Sequence, residues 1–73
     1  MVNTDKLLGI MAEKHKTQKD VAKAIGVSPK TFYLKMKSKV FGSDEIEAMV
    51  EFLDIENPMP IFFDRMVTYK DTL

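Results

Sequence analysis

Apolar residues recur along this chain at helical spacing, and polar or turn-forming residues divide them into short amphipathic blocks. In the first block Leu7, Ile10 and Met11 share a face and Leu8 widens it. Gly9 inside the block weakens a helix or lets a neighbour approach closely. Asn3 stands at the N-cap position, with Val2 and Leu7 spaced as a hydrophobic staple across it. The pattern predicts a helix ending near Lys14, with His15 at its C-terminal end, where a cation complements the helix dipole. In the second block Thr17 and Asp20 form a capping-box variant ahead of Val21, Ala22 and Ile25. Gly26 then suits a helix terminus that needs positive φ, and Val27 can fill the space beneath it. Ser28-Pro29 is an N-cap followed by proline at the first helical position, which restarts the helix at once.

Further along, Ser43 is the expected cap of a fourth helix with an acidic first turn of Asp44, Glu45 and Glu47. Its apolar face, Ile46, Met49, Val50 and Leu53, is the cleanest amphipathic repeat in the chain. Between the third and fourth helices, Val40 and Phe41 are expected to tuck onto the core from a basic connection. Asn57-Pro58 is expected to cap and start a short fifth helix, with Pro60 in its first turn and Ile61, Phe62 and Phe63 along it. From Arg65 to Leu73 apolar and polar residues alternate. The alternation allows a short strand, but a lone strand has no partner inside a helical domain, so a strand paired across a dimer axis and an unstructured tail fit that segment equally. The expected fold is therefore all-α, with five helices, and an extended segment or strand at about residues 64–73.

A helix stopped by glycine and restarted by Ser-Pro is a helix-turn-helix, here at about residues 17–37 of one domain spanning 1–73. The order Gln18, Ala22, Gly26, Val27, Ser28, Thr31, Phe32 resembles the helix-turn-helix of phage Cro and repressor proteins, the XRE-like family. Members of that family open the first helix with a polar residue, place alanine four further on, glycine four after that, and an apolar residue six after the glycine. Lys35 departs from the pattern, standing where many members have an apolar residue, between Leu34 and Met36. The Leu-Lys-Met ending is similar to that of a subset of small Cro-like proteins. The resemblance is close over about twenty residues, looser over the rest, and implies a lambda-repressor-like domain.

Composition sharpens this picture in two ways. The chain has no cysteine and one histidine, which removes disulfides, thiolate metal sites and a Ser/His/Asp set beyond His15. No glycine-rich phosphate loop is present either, so the expectation is a non-enzymatic protein without cofactor or metal. No signal peptide or membrane-length apolar run is visible, and the expected location is the bacterial cytoplasm. The six methionines suggest a soft binding surface, but Met11, Met36 and Met49 fall at core spacings and read as gap-fillers.

The zero net charge conceals a dipole. Residues 1–42 carry nine lysines against Asp5, Glu13 and Asp20, a balance of +6. Residues 43–73 carry Arg65 and Lys70 against eight acids, a balance of −6. The first pole suits a polyanion and the second must face away from it. Each lysine alone reads equally well as a solvated side chain; their crowding around one motif is the signal.

Helical rotation sorts the third helix: Phe32 and Met36 turn inward, and Lys30, Tyr33, Leu34 and Lys37 occupy the opposite face. The family resemblance places Ser28, Pro29, Lys30 and Tyr33 toward a DNA major groove, in agreement with that geometry. Lys30 suits a guanine edge and Leu34 a thymine methyl, unless Leu34 packs on a neighbouring subunit or the Val40-Phe41 segment. Thr17 and Gln18 match family positions that hold a phosphate, and Lys19, Lys35, Lys37 and Lys39 are candidate phosphate contacts. Phe62, Phe63, Val67 and Tyr69, lying away from the basic pole, are the expected dimer contacts.

The expected function is sequence-specific binding of double-stranded DNA as a homodimer, in the manner of a phage or prophage Cro/repressor-like transcriptional regulator. No membrane or small-molecule partner is expected. The rival expectation is a protein-binding module that grips a basic partner with its acidic half, as an antirepressor, nuclease inhibitor or antitoxin does.

Overall fold

The structure, a computed structural model, describes residues 1–63 of the chain. Those residues form five helices: α1 (Thr4–Glu13), α2 (Gln18–Ile25), α3 (Pro29–Ser38), α4 (Ser43–Phe52) and α5 (Met59–Phe62). No strand occurs among the described residues, and the all-α, five-helix expectation holds for them. No described helix is long and apolar enough to cross a membrane. The alternating segment, with Val67 and Tyr69, lies outside the described residues.

The first three caps form as the sequence dictates. Asn3 Oδ1 accepts the Lys6 N–H at 3.1 Å, and Ser28 Oγ accepts the Thr31 N–H at the same distance. At α2 the box is reciprocal: Thr17 Oγ1 accepts from the Asp20 N–H at 3.1 Å, and Asp20 Oδ2 accepts from the Thr17 N–H at 2.9 Å. Two later starts differ from expectation. The cap of α4 is Gly42, with Ser43 already helical. The shift by one residue puts Glu45 at the third helical position, where its Oε1 accepts the Gly42 N–H at 2.8 Å. A cap at Ser43 would have placed Ile46 there, which has no acceptor to offer. Glycine has no side chain, so this end carries only half of a capping box. The fifth helix begins at Met59, because Asn57 Oδ1 reaches the Met59 N–H at 3.4 Å and closes a turn across Pro58.

Leu7, Met11, Val21, Phe32, Met49 and Leu53 are fully buried and form the centre of the core. α2 is its hub, packing on both α3 and α4, while α1 meets α5. Ala22, wholly buried, has the small side chain that a close α2 crossing needs. The methionine gap-fillers Met11, Met36 and Met49 are all buried. Phe41 tucks in as expected, its ring centroid 5.7 Å from that of Phe32. Val40 does not: it is exposed, as is Leu8, which was expected to widen the buried face of α1. The N-terminus acts as a strap, Val2 donating to the Lys39 carbonyl at 3.1 Å and Asn3 to the Ile61 carbonyl at 2.6 Å. It holds the end of α3 and the start of the C-terminal region in one frame.

Candidate nucleic-acid interface

The unit that presents the candidate site is α2, a tight turn and α3. Gly26 ends α2 in the left-handed region at φ 81°, its N–H donating to the Lys23 carbonyl at 3.2 Å. Val27 N–H reaches back to the Ala22 carbonyl at 3.0 Å, and two residues later Pro29 opens α3. The direction of α3 relative to α2 is thus fixed by backbone bonds at the turn and by Phe32 and Met36 beneath it.

Fixing those two residues inward turns the other face outward. Tyr33 is 58% and Leu34 53% exposed, with Lys30 and Lys37 exposed on either side. The helix carries three lysines and no acidic residue. Among the described residues no hydrogen bond or ion pair engages the Lys30, Tyr33 or Lys37 side chain. Pro29 is exposed and contributes only C–H surface.

Other expected site residues are already committed. Ser28 Oγ accepts from Thr31 N–H and donates to Thr31 Oγ1 at 3.0 Å, so its hydroxyl serves the cap of α3 rather than a base edge. Thr17 is similarly engaged: its backbone N–H is held by Asp20, which leaves its hydroxyl proton as the donor it can offer. That contact in turn holds the Asp20 carboxyl below its ordinary value, with backbone and side-chain hydrogen bonds from Thr17 as the leading causes and Lys16 and Lys19 adding attraction. Gln18 and Lys19 are exposed at the start of α2.

Lys35 requires a correction. Its ammonium lies 3.2 Å from Glu45 Oε1, and both side chains are largely covered. This is the physical sense of a lysine at a position expected to be apolar: its side chain is about two-thirds covered and its charge is met by Glu45 at the start of α4. Lys35 is therefore a bridge between α3 and α4, not a free phosphate contact. Lys39 is exposed in the left-handed region at φ 62°, with its carbonyl held by Val2. Phe62 is a second correction. At 3% exposure it fills the core of its own chain and has no surface for a partner. Phe63 is half-buried, and the other two expected dimer contacts fall outside the described residues.

The structure also adds residues that periodicity did not assign. A shallow groove is lined by Gln18, Tyr33, Met36 and Lys37 together with Thr4 and Leu8 of α1. Leu8 is 39% exposed because it flanks this groove instead of entering the core. The exposed face of α3 is thus continuous with the first turn of α2 and the first two turns of α1. No signal within α1 alone points there, because the juxtaposition is made by packing between helices.

No curated protein and no solved structure matches this chain. A family model does match, over residues 2–65, and the chain belongs to the family described as Protein of unknown function (DUF739).

Proposed function

We propose that this protein binds double-stranded DNA through α3, with the start of α2 resting on the phosphate backbone. The observation that carries the reading is the outward face of α3: Lys30, Tyr33, Leu34 and Lys37 are exposed on a rigidly capped helix with no acidic residue. An α-helix fits the major groove, and a lysine, a tyrosine and an apolar side chain suit a guanine edge, a phosphate or base edge, and a thymine methyl. Around that face Lys19, Lys37 and Lys39 supply positive charge, while exposed Asp44, Glu47 and Glu51 belong to α4. The biological role that fits is a small transcriptional regulator of the Cro or repressor kind, acting in the cytoplasm.

Affinity for duplex DNA measured by fluorescence anisotropy across a salt series tests the reading. With Lys35 withdrawn, three lysines per chain remain as phosphate contacts, and the slope of log K against log salt is about −2.7 per bound chain, or about −5 for two. Lys30→Ala should relax sequence preference and cost about 1–3 kcal/mol on a site selected from random DNA, whereas Lys39→Ala should weaken all sequences alike. Absence of binding to both genomic and random duplexes at low salt would refute the proposal and favour the acidic half as the working surface.

A further inference from the structure

Rotation of about 100° per residue divides the exposed face of α3 into two stripes roughly 60° apart, Tyr33 with Lys37 and Lys30 with Leu34. The stripe of Lys30 and Leu34 lies nearly opposite the buried pair Phe32 and Met36, and so points most directly away from the core. The stripe of Tyr33 and Lys37 turns toward its neighbours. These two residues line the groove of ≈ 290 Å³ shared with Thr4 and Leu8 of α1, Gln18 of α2 and Met36, whereas Lys30 and Leu34 do not.

The groove is chemically one-sided. Thr4, Gln18, Tyr33 and Lys37 each bring a hydrogen-bond donor, and no acidic residue lines it. Among the described residues no hydrogen bond or ion pair engages any of these four side chains. Two other grooves carry carboxylates, Asp20 in one and Glu13, Asp54 and Glu56 in the other. Donors without a carboxylate, one of them a cation, suit a phosphate oxygen. Leu8, exposed beside them, suits the C–H surface of a deoxyribose. Position agrees with chemistry. Base edges lie on the floor of the major groove, within reach of the side chains that point most directly out of a helix seated there. Side chains on its flank, and those of a neighbouring helix, meet the strand alongside.

We infer that α3 divides its work between the two stripes: Lys30 and Leu34 read base edges, while Tyr33 and Lys37 close with Thr4, Leu8 and Gln18 around the sugar–phosphate backbone of one strand. This division of labour rests on the proposed binding of duplex DNA through α3 and adds to it in two ways. Thr4 and Leu8 of α1 become DNA contacts, and the Tyr33 hydroxyl belongs to a phosphate and not to a base.

Fluorescence anisotropy of the full chain on a duplex selected from random DNA, and on a random duplex, is the test. Tyr33→Phe and Thr4→Val should each weaken binding about tenfold, the worth of one hydrogen bond to a charged group, and by the same factor on both duplexes. Leu34→Ala should weaken the selected duplex alone. Thr4→Ser keeps the hydroxyl and should bind like wild type. Single methylphosphonates, which remove the charge of one phosphate, are then placed in turn along each strand of the selected duplex. At one position wild type should lose affinity, and there the gap between it and Thr4→Val should close. A variant that is merely misfolded stays weaker at every position. Wild type that binds no duplex would overturn this division of labour and the proposed function together. Wild type that binds, with Tyr33→Phe changing the preferred sequence, with Thr4→Val as tight as wild type, or with Thr4→Val weaker at every methylphosphonate position, would overturn the division of labour alone.

Discussion

Replacing Gly26 with alanine isolates one term of the fold, the backbone conformation that turns α2 into α3. Gly26 sits at φ 81° and ψ 27°. An added Cβ would meet nothing within 4 Å, so alanine brings no steric clash with its surroundings. What it brings is the intrinsic cost of the left-handed region for an L-residue, about 1–2 kcal/mol. Against this stands the lower entropy of the unfolded alanine chain, which returns about 0.4–1 kcal/mol. The net destabilisation is about 1 kcal/mol, or a fall in melting temperature of about 4–8 °C in a domain this small. Asparagine tolerates the left-handed region better, so Gly26→Asn should lose distinctly less than Gly26→Ala. Urea unfolding followed by circular dichroism reads both, and the slope of free energy against urea should stay unchanged because the surface buried does not change. If alanine proves neutral, or asparagine costs as much as alanine, strain at this residue is not what the glycine relieves.

Two further predictions concern charges. Glu45→Gln keeps an oxygen for the Gly42 N–H but removes the ion pair with Lys35, and it should cost about 0.5–1 kcal/mol, less at high salt; unchanged stability at low salt would mean the bridge between α3 and α4 carries no energy. The carboxyl of Asp20 titrates below its ordinary value, so its stabilisation is complete above about pH 4 and is lost as pH falls through the lowered value. Melting temperature against pH should therefore fall less steeply on the acid side for Asp20→Asn than for wild type, and parallel curves would exclude this contact as a source of acid sensitivity.

Elements whose signals are local could be read from the chain itself. The caps at Asn3, Thr17 and Ser28 involve residues three apart, and each forms as expected. The inward turn of Phe32 and Met36 follows from helical rotation alone. The cap of α4 was misplaced by one residue because serine is the better cap in isolation. What decided the register is Glu45, which serves both the Gly42 N–H and the Lys35 ammonium. That second partner lies on another helix, ten residues back along the chain.

The candidate site divides along the same line. Periodicity identifies which residues of α3 leave the core, and Lys30, Tyr33, Leu34 and Lys37 do leave it. It cannot say which of the exposed or half-exposed charges are already answered from elsewhere. Lys35 and Lys37 look alike in the sequence, two residues apart on one helix. Yet 200° of helical rotation sends the first to Glu45 and leaves the second on the face shared with Gln18. Phe62 and Leu8 fail in opposite directions for one reason. A four-residue helix and a widened stripe carry too little pattern to say which side the neighbouring helix covers, so the aromatic expected outside is buried and the leucine expected inside flanks a groove. Charge and hydropathy set what a surface can bind, but the packing of α1 against α5 and of α2 against α3 and α4 decides which residues form that surface.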